Sequence, residues 1–89
     1  MQAVITVVGK DCVGILAKVC ATCAENNVNV VEVTQRILGG MFAMIMIVDI
    51  SACKVDFTAF GNFMKDMGTD LGVDVRCTQQ ELYEAMHHI

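Results

Sequence analysis

The apolar residues of this chain follow two periods in turn, about two residues in some segments and about 3.6 in others, and their order leaves few topologies open. Gln2 to Val8 is rich in β-branched and apolar residues on both faces until Gly9-Lys10-Asp11 breaks the run, which predicts a buried strand followed by a loop. Ile15, Leu16, Val19, Cys20, Cys23 and Ala24 then fall at helical spacing. Asp11 carries a side chain that can accept hydrogen bonds from the free N–H groups of that helix, so the helix is expected over about Cys12 to Asn26. Asn26-Asn27 is its expected stop, because Asn tolerates left-handed backbone. Val28 to Leu38 and Met41 to Ile50 are extended runs on either side of Gly39-Gly40, the pattern of a β-hairpin with a glycine turn.

From Asp56 the period lengthens again. Phe57, Phe60, Met64, Met67 and Leu71 form the stripe of a second helix that Gly72 should end. Val73 to Thr78 alternates apolar and polar residues, as a half-exposed edge strand would, and Gln80 to His88 reads as a short C-terminal helix. No repeat, linker or low-complexity segment stands out.

The order β, α, β, β, α, β with right-handed crossovers gives an α+β, ferredoxin-like sandwich, a four-stranded antiparallel sheet with two helices on one face and strands one and three central. Strand three is apolar on both sides, with Phe42, Met44, Met46 and Val48 alternating with Ala43, Ile45 and Ile47. Helices cover only one face, so the other needs a cover, and a second copy is the simplest one. A homodimer is therefore expected.

At 89 residues there is room for one core, and a single domain over 1–89 follows. Composition points the same way as the two-sided strand: 55% hydrophobic residues with 18% charged is a surplus that suits an interface. The longest apolar run, Met41 to Val48, is far short of the roughly 20 residues of a membrane helix. The first residues lack a secretory pattern, which predicts a cytoplasmic protein with no membrane partner. A net charge of −4 without a basic cluster argues against nucleic acid. Five cysteines, an odd number without secretory context, are expected as reduced thiols.

The segment richest in chemistry is Gly9-Lys10-Asp11-Cys12-Val13-Gly14-Ile15-Leu16. A glycine in the first turn of a helix leaves backbone N–H groups uncovered, so a carboxylate can approach the positive helix end. The plainer alternative, in which Asp11 only caps and Gly14 only permits close packing, stays open at this point. Cys20-x-x-Cys23 invites a metal or redox reading, but both fall mid-helix on the apolar stripe, where core thiols are expected. His87 and His88 are adjacent and would point about 100° apart on a helix, which does not suit one metal ion. Tyr83, two histidines and scattered carboxylates do not converge into a catalytic set, so no enzyme is expected.

The Asp11-x-x-Gly14-Ile15-Leu16 loop and the Asn27-Val28-Asn29-Val30 segment that opens strand two resemble the corresponding motifs of ACT domains. End to end the chain is similar to the short stand-alone ACT proteins of bacteria and archaea, through Val7-Val8-Gly9-Lys10-Asp11, Phe42-x-Met44-Ile45-Met46, Asp56-Phe57 and Glu84-Ala85-Met86-His87-x-Ile89. It differs from many ACT loops in having Val13 where Pro is common. The resemblance implies a regulatory protein that binds a small molecule, an amino acid above all, at a subunit interface between that loop and the start of strand two. Carried over, it implies Asp11, Gly14 and Asn29 as polar contacts, with Cys12, Val13, Ile15 and Val30 lining the pocket. Asn29 could serve both the carboxylate and the ammonium of an amino acid, whereas Asp11 suits only the ammonium. A homodimerisation or protein-partner adaptor without ligand is the runner-up, and a metal or redox carrier the third reading.

Overall fold

The computed structural model describes residues 1–10 and 14–79. Six elements follow in the expected order: β1 (Gln2–Gly9), α1 (Ile15–Glu25), β2 (Asn29–Leu38), β3 (Met41–Asp49), α2 (Phe57–Leu71) and β4 (Asp74–Gln79). The expected C-terminal helix lies outside the described residues. The four strands form one antiparallel sheet in the order β2-β3-β1-β4, so the two most apolar strands are central.

Alternation sorts the strand residues onto two faces. Ala3, Ile5 and Val7 of β1, Phe42, Met44, Met46 and Val48 of β3 and Val75 of β4 pack with Ile15, Val19 and Cys23 of α1 and Phe60 and Met64 of α2 in one buried cluster. This is the ferredoxin-like arrangement, with both helices on the same face. The other face carries Val4, Thr6 and Val8 of β1 against Ile47, Ile45 and Ala43 of β3.

Both helices end in the same hydrogen-bonded device. In α1, Val28 N–H donates to Cys23 O at 2.8 Å and Asn27 N–H to Ala24 O at 3.1 Å, with Asn27 at φ +61°. In α2, Val73 N–H donates to Gly68 O at 2.9 Å and Gly72 N–H to Thr69 O at 3.2 Å, with Gly72 at φ +75°. These are Schellman closures, and each throws a valine back onto the core before the next strand begins. The pair Asn27-Val28-Asn29-Val30 and Gly72-Val73-Asp74-Val75 is thus a short internal repeat of structure that the sequence reading passed over.

The N-termini differ from each other. Asp56 caps α2, accepting from Ala59 N–H at 2.7 Å, as an aspartate just before a helix should. For α1 the expectation needs correcting: the helix begins at Ile15, and Gly14, not Asp11, holds the N-cap position at φ +76°. The stripe of α2 is also corrected at its end. Gly68 is buried, while Leu71 is exposed. A methyl group on Gly68 would sit 2.6 Å from Val75 Cγ2, so the missing side chain is what lets α2 lie close over β4.

Candidate functional site

Gly14 sets the chemistry of the loop end. At φ +76° it is in backbone that L side chains rarely adopt, and nothing lies within 4 Å of where its Cβ would be. The residue is exposed, and its carbonyl accepts from Lys18 N–H at 3.0 Å to close the first turn of α1. Among the described residues no side chain caps this helix. The first-turn N–H groups lie at the positive end of an eleven-residue helix, where an anion is favoured. Ile15, the next residue, is buried in the core and anchors the helix start. Asp11, Cys12 and Val13 lie outside the described residues.

Asn29 and Val30 are at the other end of the molecule. Asn29 is level with Asp49 and Gln2, while Gly9, which leads into the loop, is level with Phe42 and Ile37. Seven strand steps separate the two ends, about 23 Å. One chain therefore does not bring Asn29 to Gly14. Asn29 is exposed, and Val30 is half-buried on the helix side of the sheet next to Val48.

Strand β2 is the edge strand that carries Asn29, and the sequence reading missed its character. It bulges at Val31, where the register with β3 shifts between Val30 and Glu32. Val31, Val33 and Ile37 are exposed, Ile37 to 70%. The alternation of Val33 and Ile37 with polar neighbours was visible in the sequence, but not that α1 would leave them uncovered.

Among the described residues no thiol is exposed. Cys23 is buried, and burial first, then the neighbouring Cys20 and Cys53, pushes its pKa up to about 11. Cys77 is pushed up to about 12, again chiefly by burial, with Cys23 adding to it. Thiols held protonated in this way are poor nucleophiles and poor metal ligands at neutral pH. Among the described residues no three His, Cys, Asp or Glu side chains come together as a metal site.

A groove of about 500 Å³ runs between α2 and β4, past Thr58, Asn62, Lys65 and Arg76, at the sheet edge opposite β2. None of the residues expected from the sequence lines it. Its guanidinium, on Arg76, is paired to Asp74 at 3.0 Å and both side chains are largely exposed, so no buried polar group converges there.

A four-stranded antiparallel sheet with both helices on one face and an exposed glycine at the start of the first of them defines a ferredoxin-like module. Residues 1–78 match the model of the ACT domain, and the chain belongs to that family. It is 46% identical over 88 residues to a UPF0237 protein of Bifidobacterium longum, covering 99% of this chain and 98% of that one. A UPF0237 protein of Methanocaldococcus jannaschii is 40% identical over 88 residues with the same coverage. Among solved structures, an ACT domain protein from Streptococcus pneumoniae superposes with a TM-score of 0.83 at 37% identity, covering 94% of each chain. These matches make it similar to stand-alone ACT-domain proteins of its own length, and they support a regulatory, small-molecule-binding role. Among the described residues no helix is long and apolar enough to cross a membrane.

Proposed function

We propose that residues 1–89 act as one ACT domain, a cytoplasmic regulatory protein that binds an amino acid or a similar small carboxylate as a homodimer and catalyses no reaction. Each site is built from two chains: Asp11, Cys12, Val13, Gly14 and Ile15 of one, Asn29 and Val30 of the other. The observation that carries this reading is the start of α1 at Gly14, which no described side chain caps and where the missing Cβ leaves room for a carboxylate.

The distance of about 23 Å between the two halves of the site in one chain supports the need for a partner. Two β2 edges paired antiparallel about a two-fold axis set the Asn29 end of one strand beside the Leu38 end of the other. That is the end from which Gly9 leads to Gly14. Such pairing also covers the exposed Val33 and Ile37 and removes an open strand edge.

A thermal-shift panel of amino acids tests the reading. A ligand at one hundred times its dissociation constant adds about 2.7 kcal/mol, which moves the melting curve of a domain this small by several degrees. Gly14→Asp and Asn29→Ala should each fold and lose that shift. Aspartate is tolerated at positive φ and stabilises a helix N-terminus, yet repels a carboxylate ligand. If no metabolite shifts the wild type at millimolar concentration while the dimer persists, the homodimerisation or protein-partner adaptor without ligand becomes the better reading.

A further inference from the structure

On the sheet face turned away from the helices, burial changes sharply along the strands. Val8 of β1 and Ile45 of β3 are each 40% exposed there, whereas Val4, on the same face of β1, is 2% exposed. Val4 is also outside the buried cluster that the two helices form with the sheet. Its strand neighbours do not account for the difference. Ile47 and Thr78 flank Val4, but Ile45 is flanked on both sides as well, by Thr6 and Thr34, and stays open. The burial is that of a single chain, so the cover over Val4 comes from the chain itself. Among the described elements none supplies it, since both helices pack on the other face. Residues 11–13 are tied between Lys10 and Gly14, at the end of β1 where Val8 is open. Residues 80–89 set out from the right place, because Gln79 is level with Ala3 and Thr78 stands beside Val4.

We infer that residues 80–89 fold back over this end of the helix-free face and lay Leu82, Ala85, Met86 and Ile89 against Val4 and Ile47. The four residues recur at i, i+3, i+4 and i+7, the stripe of the helix expected there, with Glu84 and His87 on its opposite side. As a helix the segment is about 15 Å long. Strands lie about 4.8 Å apart, so that length carries it from β4 across β1 and β3. A helix about 10 Å wide laid across the strands covers one row of side chains. Rows on one face are about 7 Å apart, which leaves Ile45 and Val8, one and two rows further on, open. At this end of the sheet the chain thus covers itself, in the place where a second copy was expected. The contact is separate from the β2 edge and from Gly14, so it stands or falls independently of the small-molecule site.

Nuclear Overhauser spectroscopy of the full chain, with methyl-labelled Val, Leu, Ile and Met, reads the contact directly. Cross-peaks should join the methyls of Val4 and Ile47 to those of Leu82, Met86 or Ile89, and samples mixed from labelled and unlabelled chains should place them within one chain. No cross-peak between Val4 or Ile47 and residues 80–89 overturns the proposal. Cross-peaks found only between chains overturn it too, because the cover then comes from a second copy. Met86→Asp should move the Val4 and Ile47 methyl signals, leave those of Ile45 and Val8 in place and lower the melting temperature by several degrees. His87→Ser, on the opposite side of the stripe, should do none of these. Equal effects of the two variants, or no effect of either, count against the contact, and should Met86→Asp fail to fold, the wild-type cross-peaks decide alone.

Discussion

Gly68 has no room for a side chain. Alanine there would gain up to about 1 kcal/mol of helix propensity, but its methyl would press on Val75 Cγ2 and lie 3.0 Å from Val73 O, so α2 must lift from β4. Overpacking of this kind costs about 1–3 kcal/mol, and Gly68→Ala should lower the urea midpoint despite the better helix former. Gly14→Ala should also destabilise, by about 1–2 kcal/mol and for a different reason: space is free, but φ +76° is not. The thiols make a pH prediction. Cys23 and Cys77 have pKa values raised to about 11 and about 12 from an unperturbed 9.0, so the folded state holds protons that the unfolded state has lost between those values. Their contribution to stability is fully present below pH 9.0 and disappears as pH rises toward 11–12. The melting temperature should therefore fall in that window, and Cys77→Ala should make the fall shallower. At neutral pH both thiols should be labelled slowly in the native state.

At the scale of elements, β3 offers two neighbouring residues with opposite fates. Met44 is 1% exposed in the helix-side core, and Ile45 faces the open side. Met44→Asp should unfold the domain, because a buried unpaired charge is far costlier than a lost contact, while Ile45→Asp should leave its circular dichroism spectrum unchanged. The alternation Phe42-Ala43-Met44-Ile45-Met46 made the two faces legible in the sequence, and Gly39-Gly40, Asp56 and Gly72 marked turn and helix ends because each acts within a few residues of itself. The start of α1 was not legible. Asp11 looks like a cap from its side chain alone, whereas the real boundary depends on a positive φ at Gly14 that many residues besides glycine would forbid. Gly68 was hidden for a related reason, since its burial is decided by Val73 and Val75 from the next strand. The bulge at Val31 depends on pairing with β3 and left no local mark.

For the whole molecule, the residues expected at the site were legible as a list, because the loop and the Asn27-Val28-Asn29-Val30 segment stand out in the sequence. Their arrangement was not, since only the sheet register shows that Gly14 and Asn29 belong to opposite ends of one chain. A site shared between chains makes a complementation prediction that a site within one chain does not. Gly14→Asp and Asn29→Ala each spoil both sites of their own homodimer. When the two variants are refolded together, a mixed dimer has one doubly altered site and one intact site, formed by the wild-type loop of one chain and the wild-type Asn29 of the other. Random mixing in equal amounts should return about a quarter of the wild-type binding capacity with wild-type affinity. The most direct measurement is calorimetric titration of that mixture with the best ligand of the amino-acid panel. Recovery of about a quarter of the sites is the predicted result, and a mixture that binds no more than either variant alone would contradict the shared site.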